Sequence, residues 1–380
     1  MKSYDGSRIL AAALAALCIV STACAGSSPT AQPATPTSQP STASTAAQSA
    51  SAIPTASPWP SAGPALRSVA GSWLIGTAVG LPELDSDAAY RAVLAREFNA
   101  VTPENAMKWE WVEPQRGVYD WTAADEIVAF AAANGMKVHG HNLVWHSQLP
   151  SWLSGGTFSA SELRTILQGH IALEAGRYKG KIAAWDVVNE AFEASGALRD
   201  DLWLKGLGAG YIADALRWAH EADPSAKLYI NDYDIEGINP KSDALYGLVK
   251  SLKAQGVPID GVGIQGHLDL QSGFPNDLAD NIKRFADLGV EVAITELDVR
   301  MTLPATPASL AKQADYYGQV VKACTAVSAC VGVTVWEYTD KYSWIPGFFA
   351  GEGAACPFDE KLAPKPAVRA ILDALAGAAK

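Results

Sequence analysis

Positive charge is in short supply in this chain. Lys and Arg number 29 against 40 Asp and Glu, for a net charge of −11. A protein that grips nucleic acid needs a basic footprint, so nucleic-acid binding is excluded as a function class, and a neutral polymer such as polysaccharide suits the surface better. Long hydrophobic runs are also missing: the one uncharged apolar stretch of note, Ile9 to Val20, is too short to cross a bilayer. No Gly-rich fingerprint follows the first strand pattern, which removes dinucleotide binding. Metal-binding spacing is absent as well. His139 and His141 share a strand with Gly140 and Trp145, but neither a His-x-x-x-His helix nor a carboxylate-rich octahedral set accompanies them. Neither a metal nor a cofactor is expected. What the chain does hold in quantity is tryptophan, 12 residues, several of them beside polar side chains near strand ends, where a sugar face can stack.

The first 25 residues read as an export signal. Lys2 and Arg8 supply the positive start, and the Ile9–Val20 run the apolar centre. Two exits are open: Ala23-Cys24-Ala25 is an A-x-A cleavage site that releases a soluble protein, while Thr22-Ala23-Cys24 resembles the end of a lipobox in which Cys24 carries lipid. The chain is therefore expected outside the cell, either secreted or held on the outer face of the membrane through Cys24. Residues 26–64 are almost entirely Ser, Thr, Ala, Pro, Gln and Gly, a composition that buries too little apolar surface to order itself, so a linker is expected. Of the five cysteines, Cys18 lies in the leader. Cys324 and Cys330 flank a five-residue stretch before an apolar run, which in an exported protein favours a disulfide over two buried thiols. Cys356 has no evident partner.

From residue 65 to 380 one rhythm prevails. Apolar, β-branched runs at 73–79, 98–103, 137–145, 182–189, 227–232, 261–267, 291–298 and 332–338 alternate with helical patterns at 86–97, 121–134, 160–178, 208–221, 241–255, 276–288, 308–323 and 365–376. Alternating β and α elements imply a parallel sheet. Eight such units predict a closed (β/α)8 barrel, a TIM barrel forming a single catalytic domain.

In such a barrel the active site is built at the C-terminal ends of the strands. Those positions hold Glu104, Asn105 and Lys108; His139, His141, Asn142, Trp145, His146 and Gln148; Asn189 and Glu190; Asn231, Asp232 and Tyr233; Gln265 and His267; Glu296 and Asp298; and Trp336 and Glu337. Hydrolysis of a glycosidic bond requires two carboxyl groups flanking one acetal, one delivering a proton and the other ionised. Glu190 and Glu296 each close a strongly apolar strand. Either alone reads equally well as a salt-bridged structural Glu, but together, ringed by Asn, His, Gln and Trp, they read as the pair. Trp185 reads as core, His139 and His146 as supporting histidines, and Asp186, Asp232 and Asp340 as structural anchors. Trp109, Trp111 and Trp121 are expected to pack the second βα loop.

Four segments carry a resemblance: Trp185-Asp186-Val187-Val188-Asn189-Glu190-Ala191, Ile294-Thr295-Glu296-Leu297-Asp298-Val299, the run His141 to Pro150, and Thr334-Val335-Trp336 with Thr339 to Trp344. In these the chain resembles glycoside hydrolase family 10, the barrel xylanases, from about Trp73 to Ile371. The resemblance implies an endo-acting retaining hydrolase of β-1,4-xylosidic bonds that works through a covalent glycosyl-enzyme. Glu190 is implied to be the acid/base and Glu296 the nucleophile. Asn189 would bond the sugar 2-hydroxyl, and His267, oriented by Asp298, would donate to Glu296. Gln265 would contact the sugar at the cut. Glu104, Asn105, Lys108, His141 and Gln148 would grip the non-reducing side, Trp336 and Trp344 would cover it, and Asn231 and Tyr233 would line the cleft. Trp145 would press on C5, where xylose has nothing and glucose a hydroxymethyl group. Cys324 and Cys330 also stand where many members close a disulfide. The partners implied are xylan and xylo-oligosaccharides, bound by a monomer. One departure stands out: after Trp336 the family usually has a small residue, often Gly, where this chain has Glu337-Tyr338. A β-1,4-glucanase with the same two carboxylates is the rival enzyme, against which Trp145, Lys108 and Glu104 speak. A non-catalytic xylan-binding surface protein is the rival of another class, and the joint presence of Glu190, Glu296, Asn189 and His267 speaks against it.

Overall fold

The computed structural model describes residues 63–378. The leader, Cys24 and the linker up to residue 62 lie outside the described residues. Eight strands form the barrel: β1 (Leu74–Val79), β2 (Ala100–Pro103), β3 (Lys137–Val144), β4 (Ala184–Asn189), β5 (Lys227–Asp232), β6 (Gly261–Ile264), β7 (Glu291–Thr302) and β8 (Cys330–Val335). Each pairs in parallel with the next, and β8 pairs with β1 through Thr77 and Val335, which closes the ring. Helices α1 (Ala88–Glu97), α2 (Thr122–Ala133), α3 (Ala160–Arg177), α4 (Tyr211–Ala222), α5 (Pro240–Ala254), α6 (Leu278–Ala286), α7 (Pro307–Thr325) and α8 (Pro366–Ala378) follow the strands in turn. The (β/α)8 expectation holds.

The boundaries differ where local chemistry overrides the apolar pattern. The 261–267 run is not one strand. It stops at Ile264, Gly266 turns at φ +83°, and His267–Asp269 forms a separate short strand whose His267 pairs with Asp298. β7 runs past 298 to Thr302, and β8 ends before Trp336. The fourth helix begins at Tyr211 instead of 208, because Gly208 (φ +72°) terminates a short helix, Leu202–Leu207.

Side-chain volume sets the strand spacing. Trp185 is fully buried on β4, and a Cβ on Gly140 of β3 would lie 2.2 Å from its ring, so the glycine makes room for the indole. Trp185 is thus core. A large side chain buried this way stabilises the fold by roughly 1.5–3 kcal/mol. Register shifts fall between Asp186 and Val188 on β4 and between Ile294 and Leu297 on β7, the segments that lead to the two glutamates. Bulges of this kind re-aim side chains next to a site. Cys324, in the last turn of α7, is disulfide-bonded to Cys330 at the start of β8, with 5.2 Å between the Cα atoms, and Cys356 is a buried free thiol.

Candidate active site

The β4 exit delivers Glu190. Its backbone lies in the left-handed region at φ +57°, held by its own N–H to the Asn231 carbonyl (2.8 Å) and by Arg199 Nε donating to its carbonyl (2.9 Å). That conformation costs about 1–2 kcal/mol for a residue with a side chain, and it turns the carboxyl toward the barrel mouth, 14% exposed. Glu296 is held likewise by its N–H to the Gln265 carbonyl (2.8 Å) and is 5% exposed.

A network of amides joins the two carboxylates. Gln265 Nε2 donates to Glu190 Oε1 (3.2 Å), while Asn231 Nδ2 donates to Glu296 Oε1 (2.8 Å) and to Asn189 Oδ1 (2.9 Å). Thr295 Oγ1 in turn donates to Asn231 Oδ1 (2.6 Å), fixing which way that amide points. A Cβ on Gly263 would lie 2.2 Å from Asn231 Oδ1, so a glycine in β6 is needed for the amide to sit there. On its other side Glu296 Oε2 faces His267 Nε2 at 3.2 Å, and His267 Nδ1 faces Asp298 Oδ2 at 3.0 Å. Burial opposes charge on His267, but Asp298 and Glu296 outweigh it and raise the ring to about 10. At neutral pH an imidazolium therefore donates to both carboxylates. Trp344 Nε1 also donates to Asp298 (2.9 Å).

Glu190 has a different setting. Burial pushes its carboxyl up, while the His146 ring, whose Nδ1 lies 3.8 Å from Oε2, and the Gln265 amide draw it down, leaving it below the usual carboxylate value. The charge on His146 matters only when the ring is protonated, and burial lowers that ring to about 4. At neutral pH His146 is an uncharged neighbour, and the Trp145 and Gln265 side chains and the Lys241 charge remain to draw the Glu190 carboxyl down.

One wall of the mouth comes from β2 and β3. Lys108 Nζ donates to Asn105 Oδ1 (2.9 Å) and lies 5.0 Å from the Trp145 ring centre. Gln148 Nε2 bridges Asn105 Oδ1 (3.3 Å) and Glu110 Oε1 (3.1 Å). Glu104 stands in the same wall, its carboxyl raised by burial and drawn down by Lys108. His141 Nδ1 donates to Asp186 Oδ2 (2.9 Å), and His139 Nε2 meets the other oxygen (2.8 Å), so Asp186 is an anchor shared by two rings.

Some sequence expectations need correction. Asn231, expected to line the cleft, is fully buried and spends its amide on Asn189 and Glu296. Tyr233 is half-buried: its hydroxyl accepts from Arg199 (3.0 Å), and Lys241 Nζ sits 3.3 Å from its ring centre. Trp336, expected as cover, is only 6% exposed and packs edge-on against His141. Trp111, expected to pack its loop, is 53% exposed, whereas Trp109 is buried and stacks on His170 at 3.6 Å. Sequence reasoning missed Arg199 and Lys241. Lys241, 1% exposed, pairs with buried Asp232 at 2.7 Å behind Glu190. The single signal for it was a Lys beside Pro240 in the first turn of a helix, which reads as solvated surface.

The family model described as glycosyl hydrolase family 10 matches residues 65–374. An endo-1,4-beta-xylanase from Agaricus bisporus is 50% identical over 306 residues, which is 80% of this chain and 91% of that protein. The crystal structure of native xylanase 10B from Thermotoga maritima superposes with a TM-score of 0.80 at 44% identity, covering 82% of this chain and 98% of the other. Xylanase 10B from Thermotoga petrophila, solved in complex with xylobiose, superposes with a TM-score of 0.80 at 43% identity, covering 83% of this chain and 98% of the other.

Proposed function

The chain belongs to glycosyl hydrolase family 10, and we propose on that basis that Glu190 and Glu296 cleave the β-1,4-xylosidic bonds of xylan between them. The chain is an endo-acting, retaining xylan hydrolase. The observation that carries the role assignment is the pair of unlike carboxylates joined by the Asn189–Asn231–Gln265 amides. Glu296, which accepts from the Asn231 amide and faces the His267 imidazolium, takes the role of nucleophile. Glu190, the more exposed of the two at the barrel mouth, takes the acid/base role.

In the first step Glu190 protonates the glycosidic oxygen as Glu296 attacks the anomeric carbon. The C–O bond to the leaving chain breaks, and a glycosyl ester forms on Glu296. In the second step the Glu190 carboxylate takes a proton from water, the water oxygen attacks the anomeric carbon, and the ester bond to Glu296 breaks. Two displacements return the β configuration. His267 stays protonated throughout and holds Glu296 in line. Asn105, Lys108, Gln148, Glu104 and His141 form the wall that would hold the glycone sugars. Trp145, held by its carbonyl to Trp203 Nε1 (2.8 Å), is placed to exclude a hydroxymethyl group.

Incubation with xylan, carboxymethyl-cellulose and mannan in parallel tests the substrate. Rapid loss of xylan viscosity with xylobiose and xylotriose accumulating is expected, and faster cleavage of carboxymethyl-cellulose would make the chain a glucanase instead. Action as a monomer outside the cell completes the reading, since the polymer is too large to enter one.

A further inference from the structure

The chain that leaves β4 folds back on itself within ten residues. Phe192 and Leu198 form an antiparallel bridge, the Glu193 N–H donates to the Ala197 carbonyl (2.9 Å), and the Arg199 N–H donates to the Ala191 carbonyl (2.8 Å). Arg199 thereby returns to the start of the loop, its side chain 13% exposed. Its guanidinium meets three oxygens there: Nε donates to the Glu190 carbonyl (2.9 Å), and Nη2 donates to the Phe192 carbonyl (3.0 Å) and the Tyr233 hydroxyl (3.0 Å). Nη1 is left to the more exposed Glu193 carboxylate at 3.3 Å.

Glu190 is the residue that most needs such a hold. It sits at φ +57°, where a side chain crowds its own backbone. Its N–H is fixed by the Asn231 carbonyl of β5, and its carbonyl by Arg199, so the peptides on both sides of its Cα are gripped. Those two grips set the direction of the Cα–Cβ bond and hence of the carboxyl. We propose that Arg199 is a positioning residue for the acid/base, holding the strained backbone of Glu190 so that its carboxyl is aimed at the glycosidic oxygen. The inference rests on the reading of Glu190 as acid/base. A planar fork suits the task, since its donors leave in fixed directions, whereas a lysine ammonium is a single point on a flexible stem. The loop has a second anchor: Asp232 accepts the Phe192 N–H (3.3 Å) and pairs with Lys241 (2.7 Å). Without Arg199 the loop therefore stays docked while Glu190 is free to relax.

The test uses aryl xylobiosides whose phenols range from dinitrophenol to phenol itself. They place no sugar beyond the cut, and kcat/KM on them reports the first step, in which Glu190 acts as acid. In R199A and R199K, kcat/KM on the phenyl substrate should fall about tenfold, a share of what general acid catalysis supplies, and stay within about threefold on the dinitrophenyl substrate, which needs no acid. On the dinitrophenyl substrate kcat and KM should fall together, because the misaimed Glu190 is also a poorer base and the glycosyl-enzyme accumulates. Acting through Glu190, the change should add nothing once that carboxyl is gone: E190A/R199A should match E190A on the phenyl substrate within about twofold. Equal losses across the series, no loss at any phenol, or a double variant weaker than E190A each overturn the proposal. Should R199A fail to fold, R199K and E190A/R199K decide. An E190A enzyme whose losses do not depend on the phenol refutes the acid/base reading itself, a distinct outcome.

Discussion

Asn231 shows how far a residue's role is legible without its neighbours. Its place at a strand end marked it as polar and near the site, but whether its amide met sugar or protein depended on Gly263 of β6 and Thr295 of β7, residues more than thirty positions away. Replacing it with Ala strips Glu296 of one donor, and a fall in kcat of about 10²–10³ is expected, comparable to the loss of one preorganised donor elsewhere, with KM little changed. A kcat loss under about threefold, small against that range, would make Asn231 a packing residue. The two glutamates were legible because chemistry demands a pair, and their roles separate by leaving group. Glu190→Ala loses acid assistance, which matters for xylan and little for an aryl xylobioside whose phenol leaves unaided. That substrate should give a fast burst and then a slow phase, which azide speeds with retention of the β configuration. Glu296→Ala should be almost dead on both substrates, azide rescuing it only with inversion to the α product. Like behaviour of the two variants, or exchanged stereochemistry, would reverse the assignment.

At the scale of elements, the eight-fold alternation was readable because barrel strands are buried on both faces and appear as unbroken apolar runs. The ends were less readable, since they are set by single backbone events. Gly266 detaches His267 from β6 and hands it to β7, which is why its ring reaches both Glu296 and Asp298. The short helix Leu66–Ala70 was not foreseen; its Leu66 N–H donates to Glu97 at the end of α1 (2.9 Å), a contact no local pattern reveals. The disulfide belongs to this scale as well. Cys330 opens β8 at the end of the strand opposite Trp336, so the bond ties α7 to the barrel far from the cleft. Loop-closure entropy for so short a ring is worth roughly 2 kcal/mol. The Cys324→Ser/Cys330→Ser double variant should lose several degrees of Tm with kcat/KM on xylan intact. Lost activity at a temperature where the variant is still folded would tie the bond to the site.

For the whole molecule, export was read from the leader alone, and Cys24 offers a direct test: if it carries lipid, Cys24→Ala moves the enzyme from the membrane fraction to the medium at equal specific activity. An unchanged distribution points to release after Ala25. Stability against pH follows from groups spread over the barrel. His170 is buried and His146 largely covered, with ring values lowered to about 3 and about 4. The unfolded chain binds protons there first, so their contribution is complete above about 6.5 and is lost as pH falls toward 3. Asp186, drawn down to about 2 by His139 and His141 against its burial, adds to the same acid limb, its share fading below about 3.8. His267 acts in the opposite direction. Raised to about 10, it binds a proton in the folded state where the unfolded chain does not, so its contribution is complete below about 6.5 and is lost as pH climbs to 10, roughly 3–5 kcal/mol in all. Buried Asp232 and Glu236, raised to about 6 and about 7, already oppose folding by neutral pH and tilt the maximum to the acid side. Tm should therefore peak in mildly acidic buffer and fall on both sides. His267→Gln should lower Tm at the peak and flatten the limb above 6.5, leaving the acid limb in place. A variant whose alkaline limb keeps the wild-type slope would show that this limb does not come from the imidazolium between Glu296 and Asp298.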